Sequence, residues 1–133
     1  MQDLPVILVV EDDQLIQAMV EEALAEGGFK SIIASSGEKA VALLEESHGK
    51  YRALITDINL TGDLDGWEVA KLVRELNPDI QVIYVTGAAA DQWPSRGVPY
   101  SVLLNKPFAP AQVVTAVAQL LNTSGPPKSL NAD

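Results

Sequence analysis

Five short runs rich in apolar and β-branched residues alternate along the chain with segments whose apolar positions recur at helical spacing. The run "PVILVV" (Pro5 to Val10) is continuously apolar, which suits a strand buried on both faces of a parallel sheet. After "EDD", Leu15, Ile16, Met19, Val20, Ala23 and Leu24 recur every three or four residues, and Gly27-Gly28 ends that pattern. "KSIIAS" predicts a second strand, and "SSGEKAVALLEESHG" a second helix with Ser35 and Glu38 placed as a capping box. "RALIT" predicts strand three. Asp65 and Glu68 bracket the start of helix three, whose buried stripe takes in Val69, Leu72, Val73 and Leu76, with Pro78 helping to stop it. "IQVIYVT" and "YSVLLN" predict strands four and five. Between them "GAAADQWPSRG" predicts at most a short, weak helix, because Pro94 and Gly97 interrupt it. Pro110 suits a first helical turn, and Val113, Val114, Val117, Leu120 and Leu121 form the apolar face of helix five.

Five βα units in succession imply an α/β fold: a parallel sheet with helices on both faces, joined by right-handed crossovers. In open sheets of this kind ligands bind at the carboxyl ends of the strands. There the sequence places Glu11, Asp12 and Asp13 after strand one, Asp57 after strand three, Thr86 after strand four and Asn105-Lys106-Pro107 after strand five. If strands one and three are neighbours, Asp12 and Asp57 approach closely. Two carboxylates about 5 Å apart repel by roughly 3 kcal/mol at an effective dielectric near 20. Three at one edge call for a counter-cation, and oxygen donors favour Mg²⁺ or a similar hard ion. An aspartate beside such an ion, with a lysine and a hydroxyl nearby, can act as a phosphoryl acceptor.

Composition narrows the classes. Of 133 residues, 47% are hydrophobic and 20% charged, which suits one soluble globular domain. No apolar run approaches the roughly 18 residues of a membrane helix, and the N-terminus lacks a signal-peptide pattern. There is no cysteine, so disulfide and thiolate-metal sites are excluded and a cytoplasmic location is expected. A net charge of −9 opposes nucleic-acid binding but leaves room for a cation or a basic partner. The glycines Gly62, Gly66 and Gly87 form no phosphate-binding loop, which disfavours a nucleotide ligand. Trp67 and Trp93 are expected to be packing or surface residues rather than cofactor platforms. His48 lies at a helix end on the rim opposite the acids, away from any phosphotransfer role.

"VVEDD", "LITDINL", "DGWEVA", "VIYVTG" and "NKPF", in this order and spacing, resemble the response regulator receiver domain of two-component signalling over residues 5 to about 122. The resemblance implies a flavodoxin-like, doubly wound five-stranded sheet of strand order 2-1-3-4-5. It matches Asp57 to the phosphoacceptor, Asp12 to a direct metal ligand and Glu11 to a ligand acting through water. The backbone carbonyl of Asn59 completes the Mg²⁺ site. Thr86 matches the switch hydroxyl, Lys106 the phosphoryl-pairing lysine and Pro107 the proline after a cis bond. Two positions depart from the pattern. Leu103 stands where receivers often carry an aromatic switch residue, and the loop "NLTGDLDG" is one residue longer than the commonest form. Phosphorylation is therefore expected to act mainly on residues 87 to 98, which have few apolar anchors, with Trp93 as the reporter.

The resemblance implies a receiver domain over 1–123, and the tail over 124–133, with little to bury in "SGPPKSLNAD", is expected to be disordered. The resemblance also implies a stand-alone phosphorelay protein that is not an enzyme on external substrates. Its partners would be a sensor histidine kinase or histidine phosphotransfer protein, a downstream protein target reached by binding, and a second copy in a homodimer. Two alternatives stay open beside it. One is an interaction module of the same fold that works without phosphorylation, which Leu103 favours and the intact acidic site disfavours. The other is a haloacid-dehalogenase-type phosphatase, since "DINLT" resembles its D-x-D-x-T motif. Asn59 occupies the position of the general acid, and that motif usually follows the first strand.

Overall fold

Alternation along each strand sends successive side chains to opposite faces of one sheet, and both faces are covered. The computed structural model describes residues 4–122. Its elements are β1 (Val6–Val10), α1 (Gln14–Glu26), β2 (Lys30–Ala34), α2 (Gly37–Glu46), β3 (Tyr51–Asp57), α3 (Gly66–Leu76), β4 (Gln81–Thr86), a single 3₁₀ turn (Ala90–Gln92), α4 (Trp93–Arg96), β5 (Ser101–Asn105) and α5 (Pro110–Asn122). All strand pairs are parallel, in the order β2-β1-β3-β4-β5. That order bears out the doubly wound fold. The expected tail over 124–133, and the boundary at 123, lie outside the described residues.

Two apolar layers follow from the period of two. Ile7, Val9, Ala53, Ile55, Ile83 and Val85 face α1 and α5, where they meet Val20, Leu24, Val113 and Val117. Leu8, Val10, Leu54, Val82 and Tyr84 face the other way, onto Ala40, Leu44, Trp67, Val69, Ala70 and Val73. Trp67 is fully buried and packs on the Tyr84 ring, centroids 4.8 Å apart and the planes tilted by 52°, so it serves packing. Among the helix-stripe residues, Leu15 is exposed, at 83%, and lies outside the core.

Helix starts follow local chemistry. Asp65 and Glu68 form the capping box of α3, each side chain accepting from the other residue's backbone N–H. The box expected for α2 is not formed. Ser36, not Ser35, is the N-cap, and its Oγ accepts from Lys39 N–H at 3.2 Å. Starting the helix one residue later puts Glu38 at its second position, from which its carboxylate reaches another segment.

Segment 87–98 is short in helix, as expected, but better anchored than its composition suggests. Ala89 and Val98 are buried. Trp93 Nε1 donates to Ser101 Oγ at 2.9 Å, and Val98 N–H to Tyr84 Oη at 3.1 Å. Arg96 pairs with Asp65 at 3.6 Å and lies over the Trp67 ring. Just beyond the segment, Arg74 donates to the Pro99 carbonyl at 2.7 Å. The polar anchors come from α3, β4 and β5, so hydrophobic spacing does not reveal them.

Candidate functional site at the carboxyl edge of the sheet

The register of β1 against β3 runs to Val10 opposite Thr56, so the chains leave the sheet side by side at Glu11 and Asp57. Glu11, Asp57 and Lys106 share the parity of Val9, Ile55 and Leu104, which puts all three on the α1/α5 face. Strand alternation thus explains why three residues far apart in sequence meet. Lys106 Nζ donates to Asp57 Oδ2 at 3.0 Å and lies 3.6 Å from Glu11 Oε1. Glu11, Asp12 and Asp57 each offer a carboxylate oxygen, all within 4.8 Å of one another. Glu11 and Asp57 are buried and Asp12 half-buried.

Asp13 is turned away from this group. It caps α1, accepting from Leu15 and Ile16 N–H. Its own N–H donates to Glu11 Oε2 at 3.1 Å. Burial pushes the Glu11 carboxyl above the usual carboxylate range; that hydrogen bond opposes the shift and the Asp57 charge adds to it. Burial pulls the Lys106 ammonium down, but its hydrogen bond and charge pairing with Asp57, together with the Glu11 charge, outweigh that and raise its pKa. One lysine therefore offsets two buried acids, while Asp12 has no ion pair among the described residues and accepts only from Thr61 N–H, at 3.2 Å. Three hard oxygen donors of this kind fit a divalent cation such as Mg²⁺.

Thr86 lies at the same edge but on the opposite face, with the parity of Tyr84. Its Oγ1 accepts from Ala88 N–H at 3.1 Å and Ala89 N–H at 2.8 Å, and so caps the start of the β4–α4 loop. Its carbonyl accepts from Lys106 N–H at 2.8 Å, which couples the ends of β4 and β5. The Lys106–Pro107 bond is cis. Asn59 is exposed, two residues past Asp57 in the β3–α3 loop. Leu103 is partly buried and sits opposite Tyr84 in the β4–β5 register. The aromatic ring at this level is therefore supplied by β4.

The loop after Asp57 returns to it. Gly66 N–H donates to the Ile58 carbonyl at 2.8 Å, and a β-carbon at Gly66 would lie 2.2 Å from the Asp57 carbonyl oxygen. Only glycine lets α3 start this close to the strand end. Sequence reasoning missed Glu38 and the Thr61 amide as neighbours of the site, and Tyr84 as the acceptor for the Val98 N–H. Their contacts span 25, 49 and 14 residues, beyond the reach of local patterns.

The comparisons with known proteins agree with this geometry. The response regulator receiver protein from Sinorhizobium medicae WSM419 has a structure matching at a TM-score of 0.86 and 39% identity, over 91% of this chain and 97% of that one. The response regulator receiver protein CpdR of Brucella abortus (strain 2308) is 30% identical over 117 residues, covering 86% of this chain and 95% of CpdR. The sensor kinase CckA of the same strain is also 30% identical, over 86% of this chain but 12% of the kinase. The chain thus spans a small part of one relative and nearly all of another. The family model of the response regulator receiver domain matches residues 7–118. With that match running from the second residue of β1 well into α5, the chain belongs to the response regulator receiver domain family of two-component systems.

Proposed function

We propose that the chain is the phosphoacceptor of a phosphorelay, with Asp57 as the acceptor. The observation that carries this reading is the buried Asp57 carboxylate, held at 3.0 Å by Lys106 Nζ beside Glu11 and Asp12. A sensor histidine kinase or histidine phosphotransfer protein presents a phosphohistidine. An Asp57 carboxylate oxygen attacks phosphorus in line; the P–N bond breaks as the acyl O–P bond forms, and the imidazole leaves with a proton from water. Lys106 orients the Asp57 carboxylate beforehand and then pairs with the incoming phosphoryl oxygens. The Thr86 hydroxyl, at the end of the neighbouring strand, would leave the Ala88 and Ala89 amides and turn towards the product. Glu11, Asp12, Asp57 and the Asn59 carbonyl would hold Mg²⁺, which supplies charge neutralisation for the transferring group. Hydrolysis of the acyl phosphate returns Asp57 and ends the signal.

In this reading the chain acts on its own carboxylate and not on an external substrate, and it signals by binding a protein target in the cytoplasm. No helix among the described residues is long and apolar enough to cross a membrane. The test is incubation with a small acyl phosphate and Mg²⁺, read by intact mass. One phosphoryl increment, sensitive to hydroxylamine and absent from Asp57→Asn, is the expected result. A full increment on Asp57→Asn refutes the assignment, and no increment on the wild type favours the phosphorylation-independent module.

A further inference from the structure

The β3–α3 loop carries Asn59 and lies over the carboxylate group, yet Asn59, Thr61, Gly62 and Asp63 are all exposed. At its ends Ile58 is buried in the apolar core, and Leu60 and Leu64 pack against it. Two hydrogen bonds from outside the loop hold what lies between. Thr61 N–H donates to Asp12 Oδ2 at 3.2 Å. Asp63 N–H donates to Glu38 Oε2 at 2.7 Å, a shorter, charge-assisted bond. Gly62 makes the turn between them with φ of 102°, and a β-carbon there would lie 2.8 Å from Glu38 Oε1. The turn and the carboxylate are thus in direct contact. Backbone N–H groups of Glu38 itself and Asp63, with a smaller contribution from Leu64, pull the Glu38 carboxyl below the usual range, so it is a charged acceptor at neutral pH.

We propose that Glu38 is a positioning residue of the phosphoacceptor site: by anchoring the turn at 62–64 from the start of α2, it holds the Thr61 amide against Asp12. The carboxylate of Asp12, half-buried and without an ion pair among the described residues, then keeps its place beside Glu11 and Asp57. The inference rests on the receiver reading of that trio. It makes α2 a support of the site, although among the described residues none of α2 hydrogen-bonds to or ion-pairs with Asp57.

A rival role for Glu38 is purely helical, as an acid in the first turn of α2 that complements the helix dipole. The two roles part on substitution. Glutamine removes the charge but keeps a carbonyl acceptor for Asp63 N–H; alanine removes both and is the better helix former. The experiment compares wild type, Glu38→Gln, Glu38→Ala and Asp12→Asn by hydrogen exchange and by calorimetric titration with Mg²⁺ alone. For Glu38→Ala, the Thr61 and Asp63 amides are expected to exchange about tenfold faster, with a Mg²⁺ Kd raised about tenfold, the usual scale for losing a group that orients a metal ligand. Glu38→Gln is expected to stay within about threefold of wild type in both, because its acceptor survives. Equal effects of Gln and Ala, or a Thr61 amide as protected in Glu38→Ala as in wild type, overturn the inference. If Glu38→Ala binds Mg²⁺ like wild type while Asp12→Asn does not, the positioning role falls and the receiver reading stands. If wild type binds no Mg²⁺, the metal reading of the trio falls, and Thr61 exchange alone decides the anchor.

Discussion

Asp12→Asn should make the metal-free protein more stable and its Mg²⁺ complex weaker. Asp12 shares a 4.8 Å neighbourhood with Glu11 and Asp57, while the lysine of the site is committed to those two at 3.6 and 3.0 Å. At 4.8 Å and an effective dielectric near 20, each carboxylate pair repels by about 3.5 kcal/mol. Asp12 is half-buried, so water screens much of this, and measured values for solvent-accessible pairs of charges fall to about 0.2–1 kcal/mol each. Two such partners give a net gain of about 1 kcal/mol on neutralising Asp12. For a chain of this size that is a rise of about 4 °C in Tm. The asparagine carbonyl can still accept from Thr61 N–H, so the loop contact survives. With Mg²⁺ the balance changes. At one hundred times the wild-type Kd, linkage stabilises the wild type by about 2.7 kcal/mol. A variant binding tenfold more weakly gains about 1.4 kcal/mol, which erases its lead. Thermal unfolding in chelator and in Mg²⁺, with calorimetric titration alongside, measures both halves. A variant no more stable in chelator, with an unchanged Mg²⁺ response, would refute the picture of three repelling carboxylates that hold a cation.

Glu11 gives a pH signature. Its folded pKa is raised, so above the ordinary value of 4.5 the folded state holds its proton more tightly than the unfolded one. Metal-free wild type should therefore gain stability relative to Glu11→Gln as pH falls through its raised pKa towards 4.5; a flat difference curve in chemical denaturation would contradict this. Phosphorylation should release the Ala88 and Ala89 amides from Thr86 Oγ1 and alter Trp93 fluorescence, with residues 87 to 98 leading the change. Hydrogen exchange that changes at Leu103 and β5 while 87–98 stay constant would rule that model out. Tyr84→Phe removes the acceptor for the buried Val98 N–H and should cost about 1–2 kcal/mol, read as a lower denaturation midpoint with an unchanged slope. Trp67→Ala should cost about 3–5 kcal/mol by emptying the space against Tyr84, measured the same way.

What the sequence determined by itself is what depends on near neighbours in the chain. The apolar runs predicted five strands, because a strand buried on both faces needs no polar alternation. Asp65 and Glu68, three residues apart, specified their capping box wherever the helix was to pack. The alternation of strands and helices was enough to put Asp57, Thr86 and Lys106 at one edge, since parallel strands all end on the same side. Only the tertiary structure decided which groups win when two partners compete. Ser35 and Ser36 both have the composition of an N-cap, and in the folded chain Ser36 takes that place. Glu38 was expected to cap its own helix, but its carboxylate also accepts from the Asp63 amide, twenty-five residues away. Leu15 fits the helical stripe of α1, yet it stands in water, 83% exposed. Tyr84 and Leu103 show the same limit, because their facing depends on β4–β5 register and not on either strand's pattern. Local patterns report the energy of short-range contacts; the distances among Glu11, Asp12, Asp57 and Lys106 were set by strand register, which exists only once the sheet has formed.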